Sequence, residues 1–148
     1  MASAAEPDRP VGPQYLDASA VVRLVASEPE SEELMASVEG SPLVSSELLV
    51  AELPRAVRTL AAARDDVDVI DLIARADAEL ARVALVPVSR EVLTVAGALA
   101  GGGVRTVDAL HVASALLVED VALLVSYDAR QLRAAAEAGL AIASPGRA

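Results

Sequence analysis

The chain has 148 residues and a net charge of −10, and it contains no Cys, Lys, Phe or Trp. Its 54% hydrophobic and 23% charged content excludes a disordered chain, and the length suits one domain with a sizeable core. The missing Cys excludes disulfides, zinc–thiolate sites, iron–sulfur clusters and Cys nucleophiles. The single His, His111, excludes a His-rich metal site. Tyr15 and Tyr127 are the only aromatics, so a base-stacking platform for single-stranded nucleic acid is absent. The acidic balance opposes broad binding to nucleic acid or anionic membrane; it leaves a basic protein partner or a cation that reverses the local sign.

Residues 1–13 are polar and Pro-rich, with no apolar core of a signal peptide, and are expected to form a flexible N-terminal tail. Residues 14–148 are expected to form a single domain. Gln14 to Asp17 predicts a short strand, followed by a helix from Ala18 to about Ser27 and a short acidic helix from Glu30 to Glu39, ended by Gly40. Pro42 to Val44 predicts a second strand. Ser45 or Ser46 is then expected to cap a helix running to about Arg64, with Leu49, Leu53, Ala56, Val57 and Leu60 as its apolar stripe. Pro54 lies inside that helix and is expected to kink it. Asp66 to Val83 is again helical in period, and Ala84 to Val88 predicts a third strand. Ser89 caps the next helix, which the three glycines at 101–103 end. Thr106 to Glu119 is apolar nearly all round, the signature of a central helix. Ala122 to Ser126, Ala129 to Ala138 and Leu140 to Ala143 predict a strand, a helix and a fifth strand. The alternation implies a three-layer α/β/α fold around a central parallel sheet of about five short strands. The longest near-apolar run, 109–118, is half of the roughly 20 residues a membrane span needs. A cytoplasmic location without membrane association is expected.

Ligands of open α/β sheets bind beyond the carboxyl ends of the strands. Asp17 ends the first predicted strand, Asp128 follows the fourth, and Asp108 lies in the first turn of the central helix. Glu52 sits about one and a half turns into its own helix. Each also has a structural reading: Asp17 and Asp128 as helix N-caps, Asp108 as a first-turn acid, Glu52 as a solvated residue. If the four converge, their repulsion must be offset by raised pKa values or by a cation. An all-oxygen set without Cys points to Mg²⁺ or Mn²⁺.

Four segments carry a family resemblance: Asp17-Ala18-Ser19-Ala20-Val21, the stretch from Ser45 to Ala56 around Glu52, the stretch from Arg105 to Ala115 around Asp108, and Ser126-Tyr127-Asp128 with the residues to Leu132. In that order and at single-domain spacing they resemble the successive acidic motifs of PIN-domain ribonucleases. The chain length and the closing segment from Gly139 to Gly146 are similar to the VapC toxins of type II toxin–antitoxin pairs. The resemblance covers about residues 14–146. It implies a metal-dependent endoribonuclease acting as a toxin, with Asp17, Glu52, Asp108 and Asp128 as catalytic metal ligands and metal-activated water attacking an RNA phosphodiester. It also implies a homodimer and a cognate antitoxin. The antitoxin's basic C-terminal segment would cover the acidic groove, and DNA would be met only through it.

Further candidates surround these four. Ser19 and Ser126 are placed to orient a carboxylate or a water. Arg105 and Arg130 are placed to contact RNA phosphates, as are Arg55 and Arg133, with surface ion pairing as the competing reading. His111, three residues after Asp108 on the same helix face, reads as a packed, hydrogen-bonded residue rather than a general base. Glu47 competes with Glu52; it lies about 140° around an ideal helix from it, so the two cannot share one role, and a kink at Pro54 would favour Glu47. Two other functions stay open. One is a haloacid-dehalogenase-like phosphatase with Asp17 as nucleophile, although Ser19 stands where that pattern wants a second Asp. The other is a non-catalytic module offering the acidic groove to a basic partner.

Overall fold

The computed structural model describes residues 10–101 and 103–148; residues 1–9, most of the expected tail, and residue 102 lie outside the described residues. Five strands, β1 (Gln14–Leu16), β2 (Leu43–Ser46), β3 (Ala84–Val86), β4 (Leu123–Val125) and β5 (Ile142–Ala143), form one sheet in the order β3-β2-β1-β4-β5. Every pairing is parallel. Seven helices complete the described chain: α1 (Ala18–Val25), α2 (Ser31–Val38), α3 (Leu49–Ala63), α4 (Val69–Arg82), α5 (Arg90–Ala98), α6 (Thr106–Leu116) and α7 (Ala129–Glu137). The α1–α4 group covers one face of the sheet and α5–α7 the other, which is the expected three-layer α/β/α arrangement.

Period-2 alternation in β1 assigns its residues to the two faces. Leu16 joins Val21, Leu34, Leu53 and Val57 in the α1–α4 core, whereas Tyr15 packs with Val112, Ala115 and Leu124 beneath α6 and α7. Gln14, fully buried, donates to the Ser37 carbonyl and to Ser41 Oγ, which ties β1 to the turn before β2. α6 is the central helix its apolar sequence predicts, with every residue from Leu110 to Ala115 buried.

One local expectation is corrected, and two are refined. Ser45 and Ser46 do not start a helix. They pair with Leu85 and Val86 in the sheet, Ser45 Oγ donates to the Leu16 carbonyl, and helix α3 begins only at Leu49. A Ser suits a helix cap, but here the ladder with β3 outweighs that preference. Pro54 leaves α3 unbroken from Leu49 to Ala63. The carbonyl it leaves without a donor belongs to Val50, on an exposed turn where water can take the place of the missing N–H. The tail boundary also moves: the Pro13 carbonyl accepts the Ala122 N–H, and a side chain at Gly12 would meet the Asp120 carbonyl at 2.5 Å, so residues 12 and 13 are packed against the 120–122 turn.

Candidate functional site

Parallel strands deliver their following helices from one end of the sheet, and the candidate acids gather at that carboxyl end. Asp17 follows β1 directly and caps α1: its Oδ1 accepts the Ala20 N–H at 3.0 Å and the Ser19 hydroxyl at 2.6 Å. Its Oδ2 accepts the Ser126 hydroxyl at 2.5 Å. Ser126, fully buried at the end of β4, also accepts the Asp128 N–H at 3.0 Å, so one hydroxyl links Asp17 to the turn that carries Asp128. Burial pushes the Asp17 carboxyl up, and the hydrogen bonds from Ser126 and Ser19 offset part of that rise. Asp128 caps α7 through its Oδ1, which accepts the Arg130 N–H at 2.8 Å. The capping reading of Asp17 and Asp128 is thus realised in the geometry, and it coexists with their placement at the site.

Asp108 enters in the first turn of α6. Its Oδ2 is buried without a hydrogen-bond partner among the described residues; Arg105 Nε stands 4.0 Å away, too far for a hydrogen bond. Burial, and then the neighbouring Asp128 carboxylate, raise the Asp108 pKa, with Arg105 and His111 acting against the rise. Buried Gln131, one turn into α7, reaches the Asp108 carbonyl at 3.3 Å and pins the start of α6 to α7. The sequence reading missed Gln131; its position three residues after Asp128, on the inner face of α7, was the available signal.

Glu52 comes from the opposite helical layer and reaches α6, where its Oε2 lies 2.7 Å from His111 Nε2. His111 Nδ1 lies 2.8 Å from the hydroxyl of fully buried Tyr15. Glu47 is exposed and turned away, its Oε2 accepting the Val88 N–H at 3.1 Å. Glu52 and Glu47 therefore face different surroundings, and α3 carries Glu52 toward the other acids despite Pro54. Of the candidate arginines, Arg105 is 65% exposed beside Asp108. The Arg130 and Arg133 side chains are exposed on α7 with no hydrogen-bond or ion-pair partner among the described residues. They line, with Gly101, Gly103, Val104 and Glu137, a concavity of about 360 Å³ that none of the four acids lines.

The donor set suits a hard divalent ion: carboxylate oxygens only, one of them buried and unpaired. As the side chains stand, no three acidic or His groups among the described residues are close enough together to hold an ion. Glu52 is engaged by His111 and Asp17 by two serines, which leaves Asp108 the least committed of the four. Among the described residues no helix is long and apolar enough to cross a membrane.

Comparison with known proteins agrees with this geometry. Residues 14–137 match the PIN domain family. The chain is 37% identical over 134 residues to the ribonuclease VapC46 of Mycobacterium tuberculosis, covering 88% of this chain and 96% of that protein. It is 30% identical over 138 residues to the ribonuclease VapC47 of the same species, covering 89% and 96%. In fold it is similar to the crystal structure of VapBC2 from Rickettsia felis bound to a DNA fragment from its promoter, with a TM-score of 0.64, 15% identity, and coverage of 90% of this chain and 98% of that one. With a family match over most of its length and full-length relatives at this identity, the chain belongs to the PIN-domain family, on its VapC branch.

Proposed function

We propose that this protein is a divalent-metal-dependent endoribonuclease that acts as the toxin of a toxin–antitoxin pair. One observation carries the reading: four acids from four separate segments lie at one end of the sheet, and the buried Asp108 Oδ2 among them has no hydrogen-bond partner among the described residues. An unpaired buried carboxylate oxygen is costly unless a cation or a donor visits it. The kinship with VapC46 and VapC47 supports a nuclease.

Mg²⁺ or Mn²⁺ would be held by Asp108 with Asp128, Asp17 and Glu52, and when bound it supplies charge neutralisation at the attacked phosphate and acidifies a water. The chain's own groups do the rest. Ser19 and Ser126 fix both oxygens of Asp17, so this acid is oriented before substrate arrives. Asp128 is fixed through the α7 cap and faces Asp108 closely enough to raise its pKa. Arg105 and Arg130 offer guanidinium donors to phosphates flanking the scissile bond, with Arg133 extending that edge. No aromatic lies among these groups, so RNA shape and backbone, rather than base stacking, set the specificity.

The partners follow from charge. A −10 chain with an acidic groove suits an antitoxin whose basic C-terminal segment places Arg or Lys among the carboxylates, replacing the ion's charge and blocking RNA. The VapBC2 structure holds DNA, which fits DNA contact made by the complex. A homodimer belongs to the same proposal. The phosphatase alternative loses its support to the PIN-domain match over residues 14–137. The non-catalytic module is separated from the nuclease by activity alone.

The test is cleavage of end-labelled single-stranded RNA by the purified chain while Mn²⁺ or Mg²⁺ is titrated. Cleavage that appears with the ion and stops on chelation supports the proposal. Cleavage that persists unchanged in excess chelator overturns the metal assignment, and no cleavage with either ion leaves the binding module.

A further inference from the structure

The lone histidine is placed unlike an ordinary core residue. Both of its ring nitrogens are engaged, by side chains from two other elements: Tyr15 of β1 at Nδ1 and Glu52 of α3 at Nε2. The Tyr15 and His111 rings also meet edge to face, 5.9 Å apart and 77° to one another. His111 itself is buried, whereas Glu52 is partly open to solvent at the mouth of the acidic cluster.

We propose that His111 is a positioning residue for Glu52: anchored by Tyr15, it holds Glu52 Oε2 and leaves Oε1 as the single oxygen offered to the divalent ion. This inference rests on the metal-nuclease reading above and deepens it.

The proton arrangement follows from the partners. An ionised carboxylate only accepts, so His111 Nε2 carries the hydrogen and donates to Glu52. In the neutral tautomer this leaves the lone pair at Nδ1, where it accepts the Tyr15 hydroxyl. Tyr15 is fully buried on a strand in the middle of the sheet, so the anchor is rigid. The chain Tyr15–His111–Glu52 thereby connects the sheet to a carboxylate delivered by the other layer of helices. Asp17 is held in the same manner by Ser19 and Ser126, whereas the Asp108 side chain has no such holder. With Asp128 held by its α7 cap, the site pairs three oriented acids with one left free, and His111 supplies for Glu52 the orientation that serines supply for Asp17.

Because His111 is the only histidine, the imidazole ¹⁵N spectrum of the full chain reports this residue alone. The expected spectrum has a protonated Nε2 and an unprotonated Nδ1; Tyr15→Phe moves the Nδ1 signal and Glu52→Gln moves the Nε2 signal. Mn²⁺ affinity, measured by calorimetry without RNA, gives the second readout. His111→Asn, which loses the donor toward Glu52, is expected to weaken Mn²⁺ binding by about 10–100-fold, the usual effect of removing a group that orients a metal ligand. His111→Gln places an amide nitrogen near the Nε2 position and is expected to recover most of that loss, which a purely structural role does not predict. If His111→Asn fails to fold, the spectra of Tyr15→Phe and Glu52→Gln decide alone. Unmoved ¹⁵N signals in both variants, or unaltered Mn²⁺ affinity in a folded His111→Asn, overturns the proposal. In that second case, loss of Mn²⁺ binding in Asp108→Asn leaves the metal reading standing; absence of Mn²⁺ binding in the unaltered chain overturns both.

Discussion

Between the sheet and α1–α4 the apolar cluster is mainly aliphatic, built from Leu16, Val21, Leu34, Leu53, Val57 and their neighbours with Tyr127, and the buried polar side chains on that side, Gln14 and Ser31, bond to Ser37, Ser41 and Ala26. Beneath α5–α7 the buried layer is mixed: Val112, Leu124 and Ala135 share it with Tyr15, His111, Ser114 and Gln131. Polar groups in a core are retained at a cost in desolvation, so those that reach the acids mark where position matters more than stability. His111 and Gln131 on that side reach Glu52 and the Asp108 backbone. The first layer supplies stability, and the second sets the geometry of the acids.

The largest expected effect lies at the free acid. Asp108→Asn is expected to lower RNA cleavage by about a hundredfold or more, since an ion's charge stabilisation is worth several kcal/mol and each 1.36 kcal/mol is tenfold. The same variant is expected to raise the thermal midpoint of the metal-free chain, because a buried, unpaired carboxylate is removed beside Asp128. Unchanged cleavage together with a lowered midpoint would place Asp108 in the structural layer instead.

Leu34→Ala in the aliphatic layer is expected to do the reverse. Truncating a fully buried Leu costs about 2–5 kcal/mol of stability, while Mn²⁺ affinity of the folded fraction stays put. Denaturant unfolding and calorimetry on one sample check both halves, and a coupled loss of ion affinity would break the division between the layers.

Ser126→Ala lies between these extremes. It removes the donor to Asp17 and the acceptor for the Asp128 N–H, and stranding buried polar groups costs about 1–3 kcal/mol. Mn²⁺ binding should weaken as well, since both acids lose their orientation. An effect on stability alone would reduce Ser126 to a turn-bonding role.

The pH dependence sharpens the same contrast. The folded-state pKa values of Asp17 and Asp108 are raised, chiefly by burial. Their contribution to stability is therefore full below the ordinary carboxylate range near pH 4 and is lost as pH rises through the raised values. The metal-free chain is expected to gain stability on acidification from neutrality toward pH 5, and Mn²⁺ to reverse the slope because it competes with protons. Thermal midpoints across pH, with and without Mn²⁺, decide it; a metal-free midpoint that falls on acidification over that range contradicts the account.

The helix and strand order was readable from periodicity because each element buries one face or both, and Asp17, Asp108 and Asp128 were readable because they follow strands or open helices. Ser45 and Ser46 misled because a Ser before an apolar run suits both a cap and a strand end, and only the pairing with β3 decides between them. Pro54 is accommodated inside α3 because the carbonyl it deprives lies on an exposed turn, a fact of the tertiary surface. The Tyr15–His111–Glu52 chain joins residues up to 96 positions apart, and no local pattern encodes it. Gln131 carried only its spacing from Asp128 as a signal, and its partner, a backbone carbonyl 23 positions away, has no local signature.

Arg130→Ala carries the smallest expected effect. Arg130 has no partner among the described residues, so stability should change by less than about 0.5 kcal/mol. The salt dependence of RNA binding should flatten by about 0.7 in log–log slope, one phosphate contact on a single strand. An unaltered slope removes Arg130 from the RNA path.

The most direct measurement is an anomalous-scattering map from a crystal of the unaltered chain soaked in Mn²⁺. The account predicts a manganese peak at the carboxyl end of the sheet, in contact with Asp108 Oδ2 and at least one oxygen of Asp128, Asp17 or Glu52. A fully occupied peak elsewhere, or an empty cluster in a crystal whose RNA-cleaving activity has been verified, contradicts it.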